Sequence, residues 1–398
     1  MHEVPRSGPG SPRSLRKANR RRVLSALGAE GALSQAELAR ATGLAASTVS
    51  ALVHELLESG ELRQERRRGT RGARVLRLAT PPGVVVGLDH GRLHLAVAVA
   101  GLDGEILADE RRRIAEGMSA ADSLVELQDL VTGVLAGVGK TSADVHGAAL
   151  GLPAPVDIRT GQLGSESILP RWAGLDPAAL CTDILGFPVT VHNDSNLGAL
   201  GEARRGAGRG ASHFAYIWVS EGMGAGLIIN DELYAGMGGI AGELGHTLQR
   251  AESGDLCRCG NRGCLETIVS TPAVIRLLQP LVGPIGDFGE VVRRIEDGDP
   301  LCRRVLAQTG RHIGVAVANL VNMFDPQRVI IGGELSTAGE VLLEPISHMV
   351  RQYAIPSAAA RVEIVRSELG KRAEVIGAAM VALDAHRVRE SNALPTDS

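Results

Sequence analysis

The side chains best equipped for chemistry sit late in the chain. His246 is followed by Cys257, Cys259 and Cys264, an H-x10-C-x-C-x4-C series within "GELGH" and "CRCGNRGCLE". One imidazole and three thiols, with no fifth candidate beside them, are the ligand set of a closed, structural zinc site. Gly260 and Gly263 let the backbone turn tightly between ligands. The plainer reading is three buried free thiols beside an unrelated histidine. Carboxylates flank the series, Glu243 three residues before His246 and Glu266 two after Cys264. A histidine bound through one ring nitrogen holds the other in a fixed orientation. A metal here would therefore anchor Glu243, His246 and Glu266 so that they project together. Upstream, "HNDSN" adds Asn193 and Asp194. Carboxylates and an amide can take hydroxyl groups in pairs, as recognition of a polyol requires. The same corner joins a strand to a helix, where Asp194 or Ser195 would serve equally as an N-cap.

A chain of 398 residues, 44% apolar and 22% charged, is long enough for two or three folded domains. With two Trp, three Tyr and four Phe, the core must be aliphatic, and the stacking platforms of a single-strand nucleic-acid binder are missing. No apolar run reaches the length of a membrane span, and the N-terminal "MHEVPRSGPGSPRS" has no apolar segment of a secretory signal. A cytoplasmic protein with no membrane partner is expected. In that compartment a cysteine cluster points to metal rather than to disulfides. Cys181 and Cys302 stand alone in apolar surroundings and read as core residues.

The net charge of −3 hides an asymmetry. Residues 1–79 carry 15 Arg and Lys against 7 Asp and Glu, net +8, and the remainder 27 against 38, net −11. A small basic module ahead of a large acidic one suits a nucleic-acid reader joined to something else. After a flexible arm over 1–14, Leu15, Val23, Leu24 and Leu27 recur at helical spacing until Gly28 and Gly31. Ser34 with Glu37 forms a capping box that starts a second helix, and after Gly43 a third runs through Val49, Leu52, Val53, Leu56 and Leu57. This is a helix-turn-helix over 15–80, completed by a two-stranded wing that turns at "RGTRG" and carries seven arginines between 63 and 77. Gln35, Ala46, Ser47, Thr48, Ser50 and His54 are the candidates for base and phosphate contact, and Arg71 and Arg74 for the backbone. A basic surface or a protein-contact module would share some of these features.

From residue 84 the pattern becomes α/β. "VVVGLDHGRLHLAVAVAGLDGEILADERRRI" reads as three strands, then a helix, a strand into "GLPAPVD" and a strand–corner–helix through "HNDSNLGALGE". A second series starts at "HFAYIWVSEGMGAGLII" and includes a helix over about 299–323 and the strand "RVIIGGEL". Two such series imply two lobes with a cleft between them. The long helix offers a surface for self-association.

The order "GLPAPVD", "HNDSNLGALGE", "GMGAGL", "GELGH", "CRCGNRGCLE", "IIGGEL" resembles the ROK family, which holds bacterial sugar kinases and sugar-responsive repressors, over residues 84–386. With the helix-turn-helix in front, the chain resembles the repressor branch. The resemblance implies a winged helix-turn-helix followed by a two-lobed actin/hexokinase-like (ribonuclease H-like) domain, with a tail over 387–398. It implies sugar contacts from Asn193, Asp194, Glu243, His246 and Glu266, and structural Zn2+ on His246, Cys257, Cys259 and Cys264. In the family's kinases Asp194's position is the general base, and ATP is held by loops reading Asp-x-Gly-Gly-Thr and Gly-Thr-Gly. Here they read "DHGRL" and Ser220, Glu221, Gly222. Arg92 and Leu93 replace a glycine and a hydroxyl, and a carboxylate beside phosphate is electrostatically unfavourable. The expectation is a non-enzyme: a homodimer or homotetramer on a palindromic duplex operator, answering to a monosaccharide or sugar phosphate. The alternative is a sugar kinase with an added DNA-binding module.

Overall fold

A computed structural model describes residues 12–66, 74–78, 83–157, 159–164, 168–249 and 253–393. The backbone divides into two compact units, one built from the residues up to Gly83 with Gly101–Glu105, the other from Val84–Ala100 and the residues from Ile106 on.

In the first unit, helices α1 (Pro12–Glu30), α2 (Gln35–Thr42) and α3 (Ala46–Glu58) precede an antiparallel pair, β1 (Leu62–Arg66) and β2 (Arg74–Leu78). Helix α1 starts at Pro12, inside the expected arm, because proline's fixed φ and missing N–H suit a first helical turn. It also runs through Gly28 to Glu30, and Gly31 takes the left-handed exit at φ 78°. Val23, Leu27, Leu38, Val49, Leu52, Val53 and Leu56 form the core with Leu33, Leu62 and Leu76. Leu15 does not join it and stays exposed. The predicted capping box is present: Ser34 Oγ accepts from the Glu37 N–H, and Glu37 accepts from the Ser34 N–H at 2.7 Å. Leu33 exchanges two backbone hydrogen bonds with Leu76, tying the start of α2 to the wing. The wing's "RGTRG" turn, with Arg71, lies outside the described residues, as does the arm before Pro12.

The second unit holds two five-stranded sheets. The first comprises β3 (Val84–His90), β4 (His94–Gly101), β5 (Ile106–Arg113), β6 (Val145–Leu152) and β7 (Val189–Asn193), in the order β5-β4-β3-β6-β7. Helices α4 (Ala120–Gly137) and α5 (Pro177–Leu185) fall among these strands in sequence, and α6 (Asp194–Arg205) follows the last of them. The second sheet comprises β8 (His213–Val219), β9 (Met223–Ile229), β10 (Glu232–Leu233), β11 (Arg328–Gly332) and β12 (Glu363–Arg366), in the order β10-β9-β8-β11-β12. Each lobe thus repeats one plan: its third, second, first, fourth and fifth strands lie side by side. The last two pair in parallel through β3-β6-β7 and β8-β11-β12. Helices α7 (Glu266–Val269), α8 (Thr271–Val282), α9 (Phe288–Glu296), α10 (Pro300–Phe324), α11 (Glu340–Tyr353) and α12 (Pro356–Ala359) belong to the second lobe.

Strands β3 and β4 are buried along their whole length, whereas the arginine-rich β5 alternates at the sheet edge. Helix α10 buries its apolar face in its own lobe: Leu306, Ile313, Val317, Leu320 and Val321 are buried with Leu342, Ile346 and Val350 of α11. Cys181 and Cys302 are core residues, and burial pushes the Cys181 thiol up to about 12. The closing helix, α13 (Ala373–Ala393), continues past the expected boundary at 386. It packs on α6, β3 and β6 so closely that a Cβ on Gly377 would stand 1.8 Å from the Leu197 carbonyl oxygen.

Candidate sugar cleft, metal cluster and nucleic-acid interface

Strand β7 ends at Asn193 and α6 begins at Asp194, so the corner projects from a sheet edge into the space between the lobes. Asn193, not Asp194 or Ser195, is the N-cap: its Oδ1 accepts from the Asn196 N–H at 3.0 Å, and its Nδ2 donates to the Ala154 carbonyl at 3.1 Å. Asp194 is freed for another purpose. Its Oδ1 accepts from the Ser195 N–H at 2.6 Å, and among the described residues Oδ2 takes no hydrogen bond. Burial is the main cause that pushes its carboxyl well above the usual range, with Asp89 and Glu374 adding repulsion.

From the second lobe, "GELGH" runs against the backbone of β9. A Cβ on Gly242 or Gly245 would stand 1.9 Å from the Ala225 carbonyl oxygen or 2.1 Å from that of Met223, so only glycine permits the approach. That contact sets Glu243 and His246 facing the first lobe. One cleft, with a cavity volume of about 40 Å³, is lined by all five predicted polar residues, Asn193, Asp194, Glu243, His246 and Glu266. Burial raises the Glu243 carboxyl despite the opposing charge of His246. Glu266, the first residue of α7, is heavily committed: its Oε1 pairs with Arg258 Nε at 2.9 Å, and its Oε2 accepts from the Met223 N–H at 3.3 Å.

His246, Cys257, Cys259 and Cys264 place their ligand atoms within 4.8 Å of one another. His246 Nδ1 stands 3.5 Å from Cys257 Sγ, and the sulfurs of Cys259 and Cys264 are 3.6 Å apart. A tetrahedral zinc with Zn–S near 2.3 Å and Zn–N near 2.0–2.1 Å requires edges of about 3.6 Å for S–N and about 3.8 Å for S–S. The cluster can hold a metal and is consistent with zinc. The remaining ring nitrogen, His246 Nε2, lies 3.6 Å from Glu243 Oε2, so the imidazole joins the cluster to the cleft.

The two positions that match the family's phosphate loops make local contacts of their own. Asp89 pairs with His94 at 2.8 Å, and the His94 ring fills the space beside Gly91, 1.9 Å from where a Cβ would lie. Burial alone would raise the Asp89 carboxyl, but the contact with His94 brings it below its ordinary value. In the second loop the Ser220 N–H is used by the Gly222 carbonyl at 2.9 Å.

In the first unit, Ala46, Ser47, Ser50 and His54 are exposed on the α3 face opposite Val49, Leu52, Val53 and Leu56, and Thr48 is half-buried beside them. Gln35 is exposed at the start of α2 and Arg74 at the start of β2. The N-cap of α3 is Ala45, which has no side chain to bond the first-turn amides. Those amides remain free for phosphate oxygens. His54 makes a 3.3 Å contact with Glu58.

Sequence reasoning overlooked three groups. Arg92 lines the cleft although its position reads only as a departure from a phosphate loop. Arg258, lodged between two cysteines, lines it too and donates to the Glu221 carbonyl at 3.1 Å. Glu374 of α13 is buried and accepts from the Tyr216 hydroxyl at 2.7 Å. Arg258 was within reach, since a cation between ligands of an acid-rich site must face something. Nothing in the sequence marks Glu374.

A winged helix-turn-helix followed by a duplicated two-lobed domain with a carboxylate-lined cleft defines the class of ligand-responsive DNA-binding regulators on a sugar-kinase-like fold. The ROK family profile matches residues 85–385, and a MarR family profile matches residues 17–71. The chain belongs to the ROK family. The xylose repressor of Caldicellulosiruptor bescii is 28% identical over 392 residues, covering 94% of this chain and 98% of that protein. The glucokinase of Halalkalibacterium halodurans is 30% identical, covering 73% of this chain and 92% of the enzyme. Among solved structures, a ROK family transcriptional regulator described as a homologue of E. coli Mlc superposes with a TM-score of 0.73 at 26% identity, over 94% of this chain and 98% of that one. Among the described residues no helix is long and apolar enough to cross a membrane.

Proposed function

We propose that this chain is a sugar-responsive transcriptional repressor of carbohydrate uptake or catabolism genes, acting in the cytoplasm as a homodimer or homotetramer on a palindromic operator. The observation that carries the reading is the convergence of Asn193, Asp194, Glu243, His246 and Glu266 on one cleft in a chain that also bears an exposed recognition helix. Asp194 Oδ2 and Glu243 accept hydroxyl hydrogens, and His246 Nε2 supplies a third polar contact from a ring fixed at its other nitrogen. Asn193 keeps one amide hydrogen for a ligand, its other groups being used at the corner. Zn2+, held by His246, Cys257, Cys259 and Cys264, would supply a rigid anchor for the loop rather than reaction chemistry.

Coupling requires the sugar to bind the DNA-competent and DNA-released states with different affinity. Gln35, Ala46, Ser47, Thr48, Ser50 and His54 contact bases and phosphates, and Arg71 and Arg74 the backbone. The test is an operator-shift titration across a panel of pentoses, hexoses and their phosphates. A sugar that lowers operator affinity supports the reading, and no response from any sugar overturns it.

One observation favours sugar phosphorylation instead: Asp194 is a buried carboxyl of raised pKa inside the cleft, as a general base would be. Against it weigh Arg92 and Leu93 in the first loop, the Asp89–His94 contact there, and the Ser220 amide used by the Gly222 carbonyl. A coupled ADP-release assay decides. Sugar-dependent turnover lost in Asp194→Asn would establish a kinase.

A further inference from the structure

One face of α1 is left open in the DNA-binding unit. Ala18, Arg22, Ala26 and Glu30 follow one another at every fourth position and form a single ridge along the helix. Val23 and Leu27 turn into the core, whereas Ala18, Arg22 and Glu30 stay exposed and Ala26 is half-buried. With Ser25, and with Ala41 and Thr42 at the end of α2, the ridge lines an open groove of about 650 Å³. Small side chains make up most of its lining, so the backbone of another helix can come close. Arg16 and Arg20 of the same helix are matched within the unit, the first by Glu55 at 2.7 Å and the second by Glu61. Among the described residues Arg22 and Glu30 take part in no ion pair. Eight residues of helix hold them about 12 Å apart, too far to pair with each other.

The order of these charges is self-complementary. Ala26 stands midway between Arg22 and Glu30. A second α1 laid antiparallel over the first, with a two-fold axis at Ala26, sets Arg22 of each copy against Glu30 of the other, and the symmetry forms both pairs at once. Parallel helices would oppose Arg22 to Arg22 and Glu30 to Glu30, so the charges select the antiparallel arrangement.

We infer that α1 is a self-docking surface: the DNA-binding units of two copies meet through the Arg22–Ala26–Glu30 ridge in an antiparallel, two-fold contact. One helix ridge buries less than the roughly 1,200 Å² of a free-standing interface. The contact therefore rests on the proposed homodimer, which supplies the effective concentration, and it goes beyond that reading by fixing which faces of the two units meet. Fixing them sets the spacing of the two α3 helices, which is the quantity a palindromic duplex reads.

Cysteine cross-linking of the full chain tests it, with no sugar or DNA required. Ala26→Cys puts a thiol at the two-fold axis. In a glutathione redox buffer it should give a disulfide-linked dimer at least about tenfold faster than Ser47→Cys, an exposed position on α3. The parent, with its own free cysteines, sets the background. Arg22→Glu or Glu30→Arg added singly to Ala26→Cys should slow the link on the order of tenfold, the scale of turning two attractive surface pairs repulsive. Both reversals in one chain should restore it. Two co-expressed chains with one reversal each, one enlarged by a tag, should link to each other faster than either links to itself, because every contact across the axis is then glutamate against arginine. A chain that light scattering shows to be dimeric but that links no faster than Ser47→Cys, or single reversals that the double reversal does not rescue, overturns the pairing and leaves the homodimer standing. A monomeric chain overturns both. Reversals that leave the link unchanged while Glu30→Arg tightens binding to random-sequence duplex DNA also overturn the pairing, and make the ridge a phosphate contact. An unchanged melting temperature in each variant shows that slower linking is not misfolding.

Discussion

Glu374 makes a sharp test of how the lobes are held together. It lies on α13 against the first lobe, is buried, and is pushed up to about 7 from an ordinary 4.5. Burial is the main cause, the charge of Asp89 adds to it, and the hydrogen bond from Tyr216 opposes it. A carboxyl that holds its proton more tightly folded than unfolded favours the fold at low pH. Between about 4.5 and about 7 the unfolded chain has released this proton and the folded chain has not, so stability falls as pH rises through that window and the penalty is complete above it. A rise of that size corresponds to roughly 3 kcal/mol at pH 8 and about 1 kcal/mol at pH 5. Glu374→Gln keeps an acceptor for Tyr216 and removes the ionisation. Its advantage over the parent should therefore grow with pH. For a unit of this length that is a melting-temperature gain of about 5 °C at pH 8 against about 1–2 °C at pH 5, read by differential scanning calorimetry. An equal shift at both pH values, or a variant less stable at pH 8, would show that Glu374 is ionised at little cost in the fold and would refute the reasoning.

Other substitutions probe the remaining parts. Cys259→Ser should abolish stoichiometric zinc in elemental analysis and, with it, the sugar response, while specific operator binding persists; an unchanged response would reduce the cluster to a local staple. Arg74→Ala should weaken binding to all duplex sequences alike and lower the salt slope by about one, measured by fluorescence anisotropy from low to moderate salt. A loss confined to one sequence would instead make Arg74 a base contact. Gly377→Ala drives a methyl group to within 1.8 Å of a carbonyl oxygen on α6. The backbone must move, costing about 1–3 kcal/mol or more, and a melting temperature equal to the parent's would mean that the two helices do not pack this closely.

The elements were legible because each follows a local rule: the Ser34 capping box, the unbroken apolar runs of β3 and β4, and the apolar period of α10. The cysteine spacing announced its own geometry, since ligands must be brought within a few ångströms to bind one ion. What α10 packs against was not legible, because an apolar helical face looks the same whether it meets its own lobe or a second copy. The start of α1 was missed because the Pro, Gly and Ser residues of the arm suit irregular chain, although a proline at a first turn favours the helix.

Asn193 and Arg92 mark where residue types stop determining roles. Both are polar, both lie in motifs, and sequence reasoning gave the amide to the ligand and treated the guanidinium as damage. The structure uses Asn193 Oδ1 on α6 and one amide hydrogen on the Ala154 carbonyl, so that a single amide hydrogen is left for a ligand, and it leaves Arg92 with a buried nitrogen that has no acceptor. The difference lies in hydrogen-bond accounting. A polar group is available to a ligand only when the fold has not already used it, and that depends on neighbours such as Ala154, 39 positions away in the chain, or Arg171, 79 positions away. Spacing rules describe neighbours a turn or a strand apart, so they recover the ligands of a metal within one loop and miss the donors that two distant segments leave free.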